Sequence, residues 1–411
     1  MTGERWPGSA FGLPPLAAQT RRSLSIALAT SVVTVLGIQL VVPLLPAMRD
    51  AFGVDSASVG LVVAAYAAPI AVVVPFAGAL ADLRGRRIPL VVGLVVFGIA
   101  GSLLGFAPTF ELVLALRAIQ GVGAGMVLPL TVVLLSDLLP PEAETAGQGM
   151  KVVLDRLAVI VMPIVAGLLS LAGSAVPFLI YGLAIPLALA ALRWLPETRP
   201  PRQSTSLRGY LRAVADGSRR PRVLVGLVAG SVRFFLDYGF LTFLPIHLAV
   251  ALGYGGPEIG LIVACYGVGA IVTAGRIARL TRGREPAAMV ATGFGLAACS
   301  LLLLPIVPAG GWVAACVFTY GLANGIVSPV QKGLMTRNAP AEARAAVVAT
   351  DRTLQQVAKA AAPIVMGGVL ALTGTAGVFW VLGAVALVTV GVIGLMLVAT
   401  RRGSIEVPAR P

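Results

Sequence analysis

Two pairs of opposite charges sit four residues apart inside otherwise apolar sequence: Lys151 with Asp155, and Arg233 with Asp237. On a helix that interval puts both partners on one face. Asp351, Gln355 and Lys359 repeat it as a third polar stripe. With Arg117, Arg156 and Arg352 these stretches carry six cations against three acids. Each charge in hydrocarbon costs roughly 2.5–3.5 kcal/mol on insertion scales, so it is kept for a reason. One reason is packing, with ion pairs that fix helices together. The other is a polar cavity, where acids carry protons and an excess of cations receives an anionic or zwitterionic solute. Asp237, beside an arginine that favours its anion, is the first choice for a coupling acid and Asp155 the second. Gln39, Gln120 and Asn324 could add uncharged contacts. So could Tyr66, Tyr238, Tyr266 and Tyr320, for which core packing fits equally well.

The elements that hold these residues are membrane-spanning helices. The 411 residues are 58% hydrophobic and 12% charged, with a mean hydropathy of +0.94. Soluble chains carry about 25% charged residues. Twelve apolar runs, each long enough to cross a bilayer as helix, follow one another between about 24 and 399. They do not alternate polar and apolar residues as barrel strands must, so the expected fold is all-α.

The runs repeat at an interval of 200 residues. Gly60-Leu61-Val62-Val63-Ala64-Ala65-Tyr66 returns as Gly260-Leu261-Ile262-Val263-Ala264-Cys265-Tyr266. Gly121, Gly125 and Pro129 return as Gly321, Gly325 and Pro329, and Pro163 with Gly167 as Pro363 with Gly367. In the same register Lys151 aligns with Asp351 and Asp155 with Gln355. Two related bundles of six helices follow. The expected division is a tail at 1–22, a first bundle at 23–195, a linker at 196–222, a second bundle at 223–399 and a tail at 400–411. A short amphipathic helix is expected near 207–215 in the linker.

The formal net charge of +14 could suggest nucleic acid, but its placement points elsewhere. Nearly every loop arginine falls on the side of the N-terminus, seven of them between 199 and 222, and Arg49 stands alone on the other side. That is the positive-inside pattern, with both termini and the linker cytoplasmic. Arg21-Arg22 ahead of an apolar run is read as the start of the first span rather than as a signal sequence. Arginine supplies all but three of the 31 basic residues, as in a high-GC bacterial genome, so the bacterial cytoplasmic membrane is the expected location.

Two segments carry a family resemblance. Gly78-Ala79-Leu80-Ala81-Asp82-Leu83-Arg84-Gly85-Arg86-Arg87 follows the second run, and Arg117-Ala118-Ile119-Gln120-Gly121 lies in the fourth. They resemble the cytoplasmic loop motif of the major facilitator superfamily and the fourth-helix motif of its proton-coupled exporters, the twelve-helix drug/proton antiporter branch. Gly149, Pro163 and Gly167 match a third, glycine-rich antiporter motif in the fifth run, where Ala158, Met162 and Ala166 stand in place of glycines. The resemblance implies two six-helix halves working by alternating access, with helices 1, 4, 7 and 10 lining the cavity. It also implies a cytoplasmic gate of Gly78, Asp82, Gly85, Arg86 and Arg87, in which Asp82 meets the start of helix 11 and Arg86 pairs with Asp137. The three arginines could equally serve topology alone. In the second half Gly275-Arg276-Ile277-Ala278-Arg279 puts a cation where the acid would stand.

Proton-coupled export of a small organic molecule is therefore the leading expectation. Export of lipophilic drugs, export of a metal-chelating metabolite, uptake by proton symport, and a channel or transporter-like sensor are the alternatives. No H-E-x-x-H, G-x-S-x-G or phosphate-binding loop is present, so no enzyme and no ATP-driven pump is expected. Cys265, Cys299 and Cys316 lack disulfide or metal spacing and read as small core residues; no cofactor or metal is expected. The only histidine, His247, is expected as an interfacial side chain near the outer end of helix 7. Gly121-Val122-Gly123-Ala124-Gly125 is a packing stretch rather than a dinucleotide loop. The partners expected are a small-molecule substrate, protons and the lipid bilayer, with a monomer as the working unit.

Overall fold

The computed structural model describes residues 16–197, 220–308, 310–340 and 344–403, which are helical with no strand. The spans are α1 (Ala18–Gln39), α2 (Leu61–Arg84), α3 (Arg87–Leu103), α4 (Phe110–Leu138), α5 (Pro141–Leu169) and α6 (Ala184–Trp194). They continue with α7 (Pro221–Leu252), α8 (Gly256–Ala274), α9 (Pro286–Leu303) and α10 (Gly311–Asn338). The last stretch, Arg344–Gly403, breaks at Gly374, whose φ of 73° is non-helical. We call its two parts α11 (344–373) and α12 (375–403). Ten stretches of described helix, that last one counted once, are long and apolar enough to cross a membrane.

The sequence explains where helices begin and end. Thr109 caps α4 by accepting from the Leu112 N–H, and Glu285 caps α9 by accepting from the Ala288 N–H. Gly253 ends α7 with φ 71°, as Gly53, 200 residues earlier, ends the short helix Leu45–Phe52 with φ 61°. Three details differ from the sequence reading. α1 starts at Ala18, inside the expected tail, and α7 starts at Pro221, inside the expected linker. The sixth run is 3₁₀ over Val176–Leu183 and α-helical from Ala184, which puts Pro186 in the first α-helical turn, where its missing N–H costs no bond. Residues 1–15, 198–219 and 404–411, including the expected helix near 207–215, lie outside the described residues.

The chain divides into two compact units. The first is Met1–Asp55, Leu61–Arg202 and Gly255–Gly260; the second is Ser56–Gly60, Gln203–Tyr254 and Leu261–Pro411. Both are built on the same close crossing. A Cβ on Gly121 would overlap the Tyr66 carbonyl in the first unit, and one on Gly321 would overlap the Tyr266 carbonyl in the second. Glycine there lets α4 lie on α2, and α10 on α8, backbone to backbone. Gly123 and Gly125 are equally tight against α3 and α2, as a packing stretch requires. In the first unit Gly167 of α5 meets the backbone of Gly256. Close packing thus persists there despite the alanines and methionine in this helix.

Candidate functional site

Asp237 lies sixteen residues into a helix of 32. At about 1.5 Å per residue, α7 overspans a hydrocarbon core of roughly 30 Å and Asp237 falls near its middle. The carboxylate is 5% exposed. Arg233 Nη1 donates to its Oδ2 at 3.2 Å, closing the expected four-residue pair. α10 supplies three more bonds, from two residues also four apart. Tyr320 OH donates to Oδ1 at 3.0 Å, and Asn324 Nδ2 reaches Oδ1 at 2.8 Å and Oδ2 at 2.7 Å. Each of these three side chains is a donor to Asp237, which suits an ionised carboxylate. Two buried atoms at its margin have no partner: Arg233 Nε and Asn324 Oδ1. Tyr320 is held by Phe240, 4.2 Å between ring centroids, and stacks on Tyr266.

Lys359 does not complete the stripe expected on α11. Its Nζ donates to Gln356 Oε1 at 2.6 Å and lies 4.4 Å from the Phe234 ring centroid and 5.5 Å from that of Tyr238. The Arg233 guanidinium lies over the same Phe234 ring at 3.9 Å. Two cations thus lie close to one aromatic ring, whose quadrupole attracts each of them. Lys359, Phe234 and Tyr238 are half-buried, whereas Arg233 and Asp237 are buried behind them. The other members of the stripe stay together: Gln355 Nε2 donates to Asp351 Oδ2 at 2.6 Å. Arg352 is exposed.

In the first unit the buried charge is a cation. Arg117, fully buried, donates through Nε to Val62 O at 3.1 Å, through Nη2 to Gly37 O at 2.9 Å, and through Nη1 to Gln120 Oε1 at 2.6 Å. Its guanidinium covers the Tyr66 ring at 4.4 Å. These donors join α4 to α1 and α2, so Arg117 and Gln120 hold three helices together. Tyr181 adds a bond from its OH to Leu36 O at 3.2 Å; nothing in the sequence had marked it. Asp155 accepts from Lys151 Nζ at 2.7 Å and from Ser31 Oγ at 2.5 Å. Arg156 is half-buried, and Gln39 is buried with its Oε1 unpartnered.

The loop between α2 and α3 forms a second cluster. Arg86 makes an ion pair with Asp137 at the end of α4 and donates to Val133 O at 3.4 Å. Gly85 has φ +91°, a conformation for which glycine is needed, and a Cβ there would overlap the Glu197 carboxylate. The Arg87 N–H donates to Glu197 Oε1 at 3.2 Å, so Glu197 belongs to this cluster although its place in the sequence did not reveal it. Gly78 and Asp82 both lie in α2, and their surroundings lie outside what is described.

Two expectations are corrected. His247 is buried rather than interfacial, with Nδ1 2.9 Å from Thr375 Oγ1 and its ring against Phe379. Of the cysteines only Cys316 is buried; Cys265 is half-buried and Cys299 exposed, where an apolar thiol suits a lipid-facing surface. No group of three or more metal-binding side chains occurs among the described residues.

Known proteins resemble this chain along most of its length. The family model of the Major Facilitator Superfamily matches residues 27–363. The quinolone resistance protein NorA of Staphylococcus aureus (strain Mu50 / ATCC 700699) is 25% identical over 236 residues, 57% of this chain and 60% of that protein. Multidrug resistance protein 1 of Bacillus subtilis (strain 168) is 25% identical over 268 residues, 63% of this chain and 67% of that protein. The chain therefore spans 60% of the length of that NorA protein. Among solved structures, a bacterial homolog of the human lysosomal transporter Spinster superimposes with a TM-score of 0.74 at 15% identity, over 93% of this chain and 96% of that one. A POT family transporter gives 0.75 at 14% identity, over 91% and 96%. At these identities the structures speak for the fold.

Proposed function

The chain belongs to the major facilitator superfamily, and from that premise we propose that it is a secondary active transporter exporting a small organic molecule in exchange for protons. The observation that carries this reading is Asp237, an acid near mid-membrane depth whose charge is met by donors from α7 and α10. Protonation removes the charge that holds Arg233 and Asn324, so proton uptake changes how the two helices are joined. Export is supported by the names of the NorA and multidrug resistance relatives. The excess of cations supports an anionic or zwitterionic substrate. A zwitterion also suits antiport, because its positive group and the proton compete for Asp237 while Lys359 receives its negative group. The working unit is one chain in the bacterial cytoplasmic membrane, with both termini in the cytoplasm as the arginine asymmetry supports.

The test uses energised inside-out vesicles with a dye that reports lumen acidity. Lipophilic cations form one panel of compounds, and anionic and zwitterionic metabolites, metal chelators included, form the other. Proton release on adding the second panel, lost in Asp237→Asn and Arg233→Gln, is the expected result. Release by the lipophilic cations alone would remove the substrate assignment and leave a multidrug exporter. Silence toward both panels, in vesicles whose protein still catalyses substrate exchange, would reject proton antiport.

A further inference from the structure

The second unit contains another buried acid, of a different kind from Asp237. Asp351 of α11 is 3% exposed. The bonds that reach its oxygens come from two neutral amides: Gln331 Nε2 at 3.1 Å from Oδ1 and Gln355 Nε2 at 2.6 Å from Oδ2. Gln331 is fully buried, and its Nε2 serves a second acceptor, Gly226 O, at 2.9 Å. The other end of that amide, Oε1, is buried with no donor. α7 closes over the group at Gly230, where a Cβ would stand 2.6 Å from both Asp351 Oδ1 and Gln331 Nε2. The cations facing Asp351 are Lys332 of α10 and Arg233 of α7, which act on it through space.

Protonation of a carboxylate set against neutral amides breaks no ion pair, and an amide oxygen that lacks a donor lies on the same group. Its new O–H can donate to Gln331 Oε1 when that amide rotates, an exchange in which Nε2 gives up its bonds to Asp351 Oδ1 and Gly226 O. The corresponding position in the first unit cannot behave this way: Lys151 stands there and pairs with Asp155 at 2.7 Å. Asp351 lies level with Gly230, and Asp237 is seven residues farther along α7, about 10 Å by helical rise.

We propose that Asp351, with Gln331 and Gln355, is a second proton-binding site, standing between Asp237 and the cytoplasmic side. Its role in transport rests on the proton-coupled reading above; its capacity to bind a proton does not. The proton adds to an Asp351 oxygen, is shared with an amide oxygen, and leaves to water on the cytoplasmic side as the anion re-forms. A transport cycle then carries two protons, one at each acid.

Infrared difference spectroscopy of the purified protein in lipid nanodiscs, titrated with acid, reads the protonated carboxyl directly through its carbonyl stretch and its shift in heavy water. Asp237→Asn and Asp351→Asn should each remove a separate component of that band. Gln331→Met, which keeps the acid and removes both the Nε2 donor and the orphan oxygen, should move the Asp351 component and serves if Asp351→Asn fails to fold. A band unchanged by Asp351→Asn, or unmoved by Gln331→Met, would overturn the site and leave proton antiport through Asp237 standing. If the Asp351 component is present but the wild-type vesicles move no protons with any compound, the site stands and the transport reading falls. Where both hold, Asp351→Asn lowers the proton-to-substrate ratio by one.

Discussion

Gly37 and Asp237 stand 200 residues apart, and each is the acceptor reached by a side chain of a neighbouring helix: Arg117 Nη2 donates to Gly37 O at 2.9 Å, and Tyr320 OH to Asp237 Oδ1 at 3.0 Å. Gln120 and Tyr320, which also correspond, take part in the two clusters. One junction is locked by a cation on backbone carbonyls, which cannot release it by losing a proton near neutral pH. The other is locked by an acid, which can lose its charge. The same place in the repeat thus holds a cation-bound carbonyl in the first unit and a carboxylate in the second.

Arg117→Ala leaves the carbonyls of Gly37 and Val62 without their buried donor and should destabilise the protein by about 3 kcal/mol. Thermal unfolding in detergent, followed by thiol-dye labelling of the cysteines, should show a lower midpoint. Arg117→Lys, with one compact ammonium in place of the guanidinium fork, should recover only part of the loss. A midpoint equal to wild type in Arg117→Ala would show that these bonds do not hold the helices.

Asp237→Asn keeps the shape and turns a donor toward three donors. Leaving Arg233 buried without its acid should cost about 3 kcal/mol of stability, on the scale of a broken buried pair. Substrate exchange without a pH gradient should persist, while a pH gradient should no longer drive accumulation. Gradient-driven accumulation at the wild-type rate would remove Asp237 from the coupling step.

The Arg86–Asp137 pair should behave as a unit in a double-mutant cycle. Arg86→Asp alone should reduce stability by about 1–3 kcal/mol, and adding Asp137→Arg should restore much of it. Unfolding midpoints of the four proteins give the coupling energy directly. Additive losses would mean that the pair contributes no specific contact.

His247→Gln is predicted to leave proton coupling unchanged, because the ring is engaged with Thr375 and Phe379 rather than with the Asp237 cluster. Loss of the packed ring against Phe379 should lower the unfolding midpoint by about 1 kcal/mol equivalent. A coupling defect at full stability would place His247 on the proton path.

The spans, the repeat and the local pairs were legible because each depends on short-range pattern. Arg233 with Asp237 and Lys151 with Asp155 follow from one turn of helix, and Arg86 with Asp137 from a motif. What joins different helices was not legible. Asn324 and Tyr320 were named only as uncharged contacts, and no spacing within one segment shows that both reach Asp237. Arg117 stood among the solute-binding residues, yet its donors go to backbone carbonyls, groups that every sequence position shares and that leave no mark in composition. Lys359 followed the four-residue rule on paper and turned instead to rings of α7, because an ammonium on a long flexible stem finds partners well outside its own stripe.

The close crossings at Gly121 and Gly321 carry an evolutionary consequence. A side chain at either glycine would drive two backbones apart, so both copies of an ancestral gene had to keep that residue after duplication. At position 37 an added Cβ would instead meet the Tyr66 ring, so the first copy holds glycine there as well, whereas the second holds Asp237. One copy thus carries a titratable group where its sister presents only backbone.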